Sequence, residues 1–149
     1  MSKTIRQAVI ADALPIIAFL KQADLSTEGV YGSIDRFLVV ENEEGDIIGT
    51  LGIETRGKVG LLRSLVVTPS FSTEELFALF QESLKLAKEK EIERLYLITN
   101  RQASLRFFHL LGFSESSFVD DLGGFVHAQK LSTVDNCMVM KLEMRHCSL

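Results

Sequence analysis

Two cysteines in 149 residues are too few and too unpatterned for a disulfide framework or a zinc site. Cys137 sits in an apolar run and Cys147 stands beside His146, and both read as reduced thiols. Two ligands adjacent in sequence do not make a tetrahedral metal site, so a frayed chain end is the plainer account of His146 and Cys147. Prolines are equally scarce, at two, and neither a fixed-period repeat nor a low-complexity tract divides the chain, so one domain over residues 1–149 is expected. Basic charge is short as well. Sixteen Lys and Arg against twenty Asp and Glu give a formal charge of −4, which leaves no cationic surplus to displace counterions from a phosphate backbone. Nucleic acid is therefore not an expected partner. No run approaches the roughly 20 apolar residues of a spanning helix. The stretch from Met1 to Gln7 is polar and lacks the apolar core of a signal peptide, so neither a membrane nor export is expected and the location is read as cytoplasmic. What remains, 46% hydrophobic and 24% charged residues, suits one compact domain with a true core.

The order of elements follows from periodicity and punctuation. Thr4 to Val9 suits a short strand, after which Asp12 is placed to cap a helix whose Leu14, Ile17, Ala18 and Leu20 would form its apolar face. A polar loop from Asp24 to Gly32 leads to β-rich runs at Phe37 to Val40 and Ile47 to Glu54, joined by the turn Glu43-Glu44-Gly45-Asp46. A second turn at Arg56-Gly57-Lys58 gives a strand from Val59 to Thr68, stopped by Pro69. From Thr73 to Lys90, apolar Leu76, Phe77, Phe80, Leu84 and Ala87 recur at helical spacing, with Lys85, Lys88 and Lys90 toward the negative end of the dipole. Arg94 to Thr99 is a strand, Ala103 to Leu111 a helix closed by Gly112, Phe113 to Val119 a strand, and Asn136 to Met144 a final strand. This order leaves the fourth strand, long helix and fifth strand as the parallel crossover.

With Leu61-Leu62-Arg63-Ser64-Leu65-Val66-Val67-Thr68-Pro69 before the long helix and Phe107-Phe108-His109-Leu110-Leu111-Gly112-Phe113 after the next, the chain resembles the GCN5-related N-acetyltransferase (GNAT) superfamily over nearly its whole length. Within it, the stretches Leu61 to Val67, Leu95 to Thr99 and Cys137 to Met144 are similar to the arsenic-resistance N-acetyltransferase subgroup. The resemblance implies an α/β fold, a mostly antiparallel mixed sheet with helices on both faces and strands four and five splayed. It also implies acetyl-CoA as cofactor, its pantetheine arm lying along Leu65, Val66 and Val67 with hydrogen bonds from Leu65 and Val67. A small-molecule amine would be the acceptor, and a homodimer is a candidate assembly.

The family's pyrophosphate rests at the start of the long helix, in a loop of pattern Arg/Gln-x-x-Gly-x-Gly/Ala, where unpaired amides and a positive partial charge favour an anion. Here the loop is degenerate. It reads Ser70-Phe71-Ser72-Thr73-Glu74-Glu75-Leu76-Phe77, with Ser72 at the Arg/Gln position and Thr73, Glu75 and Phe77 where small residues are expected. The same residues spell a self-sufficient helix start: Ser72 as cap, Glu75 completing a capping box, and Phe71 against Leu76 as a hydrophobic staple. A cap and a phosphate cradle compete for the same amides, and two first-turn carboxylates would repel a diphosphate by about 1 kcal/mol each in water and about 4 at a partly shielded surface. Ser72, Thr73 and Glu75 are thus the cofactor-facing positions at which binding would be weakened.

For chemistry, the family's general-acid tyrosine falls on Phe108, whose ring cannot donate a proton. Glu54, near the end of the third strand, is the candidate base, with Glu28 a weaker second; the alternative for Glu54 is an ordinary solvated hairpin residue. Arg63, within an apolar strand, would hold a substrate carboxylate or else an intramolecular carboxylate partner. A two-residue turn formed by Arg56 and Gly57 would put Thr50 opposite Arg63 and Glu54 on the same face, about 13 Å from Arg63 at roughly 3.3 Å per residue, room for an amino-acid-like acceptor. Asn100, with Arg101 and Gln102, would contact the nucleotide end of the cofactor or simply begin a helix. His109 reads as packing, and the spacing of His127 and Cys137 carries no motif. Two functions compete: acetyl transfer to a small amine with weakened cofactor binding, or a catalytically inactive binding or dimerisation module that has lost acetyl-CoA.

Overall fold

A computed structural model describes residues 3–101, 104–117, 120–125 and 137–144. The described residues form a seven-stranded mixed sheet from β1 (Thr4–Gln7), β2 (Phe37–Glu41), β3 (Ile47–Arg56), β4 (Val59–Val67), β5 (Arg94–Thr99), β6 (Ser114–Ser116) and β7 (Met138–Glu143), in the order β1-β2-β3-β4-β5-β7-β6. The helices are α1 (Ala13–Gln22), α2 (Thr73–Glu89) and α3 (Leu105–Leu110), with short 3-10 turns between them. Two compact units share the chain: Met1–Ile53 with Ser64–Leu86, and Glu54–Arg63 with Ala87–Leu149.

In the first unit β1 pairs antiparallel with β2, and β2 with β3, the latter register running from Phe37↔Gly52 to a shift at Val40/Glu41. Gly52 is required by its partner, since a Cβ there would stand 2.7 Å from the Phe37 ring. The β2–β3 turn is held by Asn42, whose side-chain oxygen accepts from the amides of Glu44 (3.1 Å) and Asp46 (2.9 Å), with Gly45 at φ +82°. The core gathers Ala8, Ile16, Leu20, Val30, Phe37 and Val39, with Ile17 and Val66 packed against it. This corrects the expected face of α1. Ala13, Ile16, Ile17 and Leu20 turn inward, whereas Leu14 is 67% exposed and Ala18 is also on the surface. Asp12 does not cap α1 with its side chain. Its carboxylate accepts from the Val9 amide (2.7 Å) and from both terminal nitrogens of Arg6 (2.8 and 2.9 Å), and the hydrogen bonds from Arg6 hold it below its ordinary range. The expected loop after α1 also contains structure, a 3-10 turn at Tyr31–Arg36.

In the second unit β4 and β5 run parallel, with the register Val59↔Arg94, Gly60↔Leu95, Leu61↔Tyr96. β5 pairs antiparallel with β7 from Arg94↔Glu143 to Thr99↔Met138, and β7 pairs antiparallel with β6, so the last strand fills the place between its two predecessors. Leu61, Tyr96, Leu122, Phe125 and Val139 form the core, with Val59 and Ile98 against it. Helix α3 ends at Gly112 (φ +104°), where the Phe113 amide donates to the Phe108 carbonyl. Phe113 is thus part of a helix cap rather than of β6, which is why that strand starts at Ser114; the expected end at Val119 lies outside the described residues. The order of expected elements otherwise stands, β5 to the residue, but β3 runs on to Arg56 and the turn after it is Gly57-Lys58, so the expected two-residue turn at Arg56-Gly57, and with it the placing of Thr50 opposite Arg63, is not the one formed. Gln102, His127, His146 and Cys147 lie outside the described residues.

Candidate functional site

Two amides at the start of α2 are taken up by its own side chains. The Ser72 amide donates to Glu75 Oε1 (2.8 Å) and the Glu75 amide donates to Ser72 Oγ (3.1 Å), a complete capping box. The second Glu75 oxygen accepts from Lys3 Nζ at 2.8 Å, and the Lys3 ammonium lies 5.4 Å from the centre of the Phe71 ring. Lys3 and then the Ser72 amide hold the Glu75 carboxyl below the usual carboxylate range. Sequence reasoning missed Lys3 because it is 72 residues from Glu75 and no local pattern links them. Phe71 lays its ring against Gly49 of β3, within 3.0 Å of where a Cβ would stand. Thr73 is exposed at the helix surface.

Leu65, Val66 and Val67 form the end of β4 ahead of that helix. Val66 packs on the first core, whereas Leu65 is 37% exposed. The Thr68 amide donates to the Ile48 carbonyl (3.0 Å), so strand alternation turns the amides of Leu65 and Val67 away from β3. Ser64, immediately before them, has φ +58° inside the strand, and its carbonyl accepts the hydroxyl of the fully buried Thr50 (2.9 Å).

The second unit holds the other nominated residues except Glu28. Glu54 is half-buried near the end of β3, and Arg63 is buried at 7% exposure in β4. Asn100 is exposed just after β5. Phe108 is buried in an aromatic cluster, edge-on to Phe107 (5.5 Å between centroids) and Phe113 (6.2 Å). His109, expected to pack, is instead exposed, because it lies on the outer side of a short surface helix. Glu28 is exposed in the first unit. The second unit also carries a group that sequence reasoning did not single out: the buried Tyr96 phenol donates to Asp121 (2.8 Å), which also pairs with Arg94 (3.0 Å). Burial first, and then that hydrogen bond, push the Tyr96 phenol up to about 12. Tyr96 looked like any strand aromatic, and only its contact with Asp121 distinguishes it.

An open groove of about 610 Å³ runs beside β1 and α2, lined by Lys3, Ile5, Ala78, Glu82 and Lys85, and includes none of the nominated site residues. Among the described residues no group of three or more His, Cys, Asp and Glu side chains is arranged to hold a metal. No described helix is long and apolar enough to cross a membrane.

No family model matches the chain. It is 35% identical over 126 residues to the uncharacterized protein YwlB of Bacillus subtilis (strain 168), across 83% of this chain and 86% of that one. Among solved structures it is similar to N-acetylglutamate synthase from Neisseria gonorrhoeae, complexed with coenzyme A and N-acetyl-glutamate, with 21% identity and a TM-score of 0.73. That match covers 97% of this chain but 35% of the synthase, so the chain spans about a third of that protein's length. An acetyltransferase of the GNAT family from Staphylococcus aureus Mu50 matches over 96% of this chain and 99% of its own, with 17% identity and a TM-score of 0.68. At these identities the likeness shows the fold, the α/β GNAT fold.

Proposed function

Because the chain belongs to the same family as YwlB of Bacillus subtilis and is built on the GNAT fold, we propose that it transfers an acetyl group from acetyl-CoA to the amine of a small molecule, with weakened hold on the cofactor. The observation that carries this reading is the end of β4, where the amides of Leu65 and Val67 turn away from β3 after the left-handed Ser64. N–H donors aimed in that way need acceptors, and the carbonyl oxygens of a pantetheine arm are suitable ones. Leu65, Val66 and Val67 therefore fit this part of the cofactor. The start of α2 does not fit the pyrophosphate, because the amides of Ser72 and Glu75 already serve the capping box. Lys3 offsets part of the Glu75 charge, but the Glu75 carboxylate itself still stands where a diphosphate would approach.

When bound, acetyl-CoA supplies an activated thioester. The chain's own contribution is to hold the acceptor and to take its proton. Glu54 is the proposed base for the ammonium proton, a role worth roughly 100- to 10,000-fold in rate. Arg63 is the proposed holder of an acceptor carboxylate, since a guanidinium grips a carboxylate through two parallel hydrogen bonds. The Neisseria synthase, whose structure contains N-acetyl-glutamate, supports an amino-acid-like acceptor. Phe108, at the position of the family's general acid, would have no proton to offer a departing thiolate. Asn100 is the proposed contact for the nucleotide end. The subgroup resemblance, the cytoplasmic location and the homodimer belong to the same proposal.

The closed start of α2 also favours a second reading, in which the fold serves as a non-catalytic binding or dimerisation module. Calorimetry with acetyl-CoA, followed by transfer assays on a panel of amino acids and small amines, separates the two. The proposal expects binding, and expects Glu54→Gln to slow transfer about 100-fold at unchanged cofactor affinity. Absence of binding at millimolar acetyl-CoA would leave the second reading.

A further inference from the structure

Three residues other than glycine have a left-handed backbone among the described residues: Asp24 (φ 58°), Ser64 (58°) and Glu91 (60°). Asp24 and Glu91 follow the ends of α1 and α2, where such a conformation commonly closes a helix. Ser64 stands alone within a strand, β4, where a left-handed L-residue is sterically disfavoured and interrupts the regular ladder. Something must hold it there. Thr50, from the middle of β3 and fully buried, donates its hydroxyl to the Ser64 carbonyl at 2.9 Å. Thr50 is itself fixed by its cross-strand pairing with Val39, and a β-branched side chain has little rotamer freedom.

The Ser64 carbonyl and the Leu65 amide belong to one planar peptide unit and point in opposite directions across it. Fixing the carbonyl oxygen on Thr50 therefore fixes the aim of the Leu65 N–H on the far side. We infer that Thr50 is a positioning residue for the acyl donor: its hydroxyl locks the left-handed turn at Ser64 and so sets the direction in which Leu65 presents its amide. This rests on the proposal that acetyl-CoA lies along the end of β4, and it adds a residue that never touches the ligand. Residues held in sparsely populated conformations concentrate at functional sites, and the buried hydroxyl bonds directly to this one.

The test compares acetyl-CoA affinity by calorimetry with thermal stability in four variants. Thr50→Val removes the hydroxyl at similar volume and is expected to weaken acetyl-CoA about tenfold, the equivalent of one typical hydrogen bond. Thr50→Ser keeps the hydroxyl and should stay within about twofold of the parent. Adding Ser64→Gly to Thr50→Val should recover affinity, because glycine adopts positive φ without a clasp. Ser64→Val attacks the same turn from the other side and should weaken binding even if Thr50→Val fails to fold. A purely structural role for Thr50 predicts lower melting temperature with unchanged affinity of the folded protein, and that result would overturn the inference while leaving the cofactor proposal intact. If the parent protein itself fails to bind acetyl-CoA, the cofactor proposal falls and takes the inference with it.

Discussion

Replacing Ser72 opens the start of α2 in a way that separates stability from ligand binding. Ser72→Ala removes the oxygen that accepts from the Glu75 amide at 3.1 Å. Loss of such a cap costs about 1 kcal/mol, whereas glycine at the same position costs only roughly a few tenths. For a chain of this size 1 kcal/mol corresponds to about 2–4 °C in melting temperature, so the order should be parent, Ser72→Gly, Ser72→Ala. Binding should move the opposite way. An amide released to a phosphate oxygen makes a charge-assisted hydrogen bond, worth about 1.5–3 kcal/mol and hence at least about tenfold in Kd. The full gain requires removing the competing carboxylate too, so Ser72→Gly with Glu75→Gln should bind acetyl-CoA at least about tenfold more tightly than the parent. Calorimetry reads this directly, with acetyl-pantetheine as control, since it lacks the pyrophosphate and should show no gain. Unchanged or weaker acetyl-CoA affinity in that double variant, with the fold intact, would refute the idea that the cap occupies a phosphate berth.

Two further perturbations report on the sheet and on the second core. Gly52→Ala places a Cβ 2.7 Å from the buried Phe37 ring and should cost about 1–3 kcal/mol by chemical denaturation, with partial recovery when Phe37→Leu is added. At Gly124 the atoms nearest to an added Cβ belong to the Arg56 side chain, which is exposed and able to swing aside, so the cost of Gly124→Ala should be clearly smaller; the reverse order would show that the two environments were misjudged. The Tyr96 phenol, pushed up to about 12 from an ordinary 10.0, binds its proton more tightly folded than unfolded. Its contribution is present in full below pH 10 and is lost as pH rises toward 12, so alkaline denaturation should be milder at a given pH in Tyr96→Phe relative to its own neutral-pH stability. That variant should lose about 1 kcal/mol at neutral pH with the hydrogen bond to Asp121, and an alkaline profile identical to that of the parent would contradict the assignment.

Legibility followed the range of the interactions. Ser72 and Glu75 are three residues apart, and the capping box formed as their spacing required. The same local reasoning failed at Asp12, which is also placed to cap a helix, because Arg6 on β1 offered a stronger, charge-assisted partner. The segment Ala13 to Leu20 is apolar nearly all round, so two overlapping stripes satisfy helical spacing. Nothing local chooses Ile16 over Leu14; the core under β2 does. Glu54 and Arg63 were nominated for their chemistry, and the described structure gives them half-buried and buried positions in one compact unit.

The sequence by itself determined the succession of strands and helices, the glycine turns and the capped start of α2, because each depends on backbone preferences and contacts a few residues apart. Tertiary structure alone decided that β7 enters between β5 and β6, that Lys3 reaches Glu75 across 72 residues, and that Thr50 holds Ser64 in a left-handed turn. Those outcomes arise where distant segments compete for the same hydrogen bonds and the same buried space, and no short stretch of chain records who wins that competition.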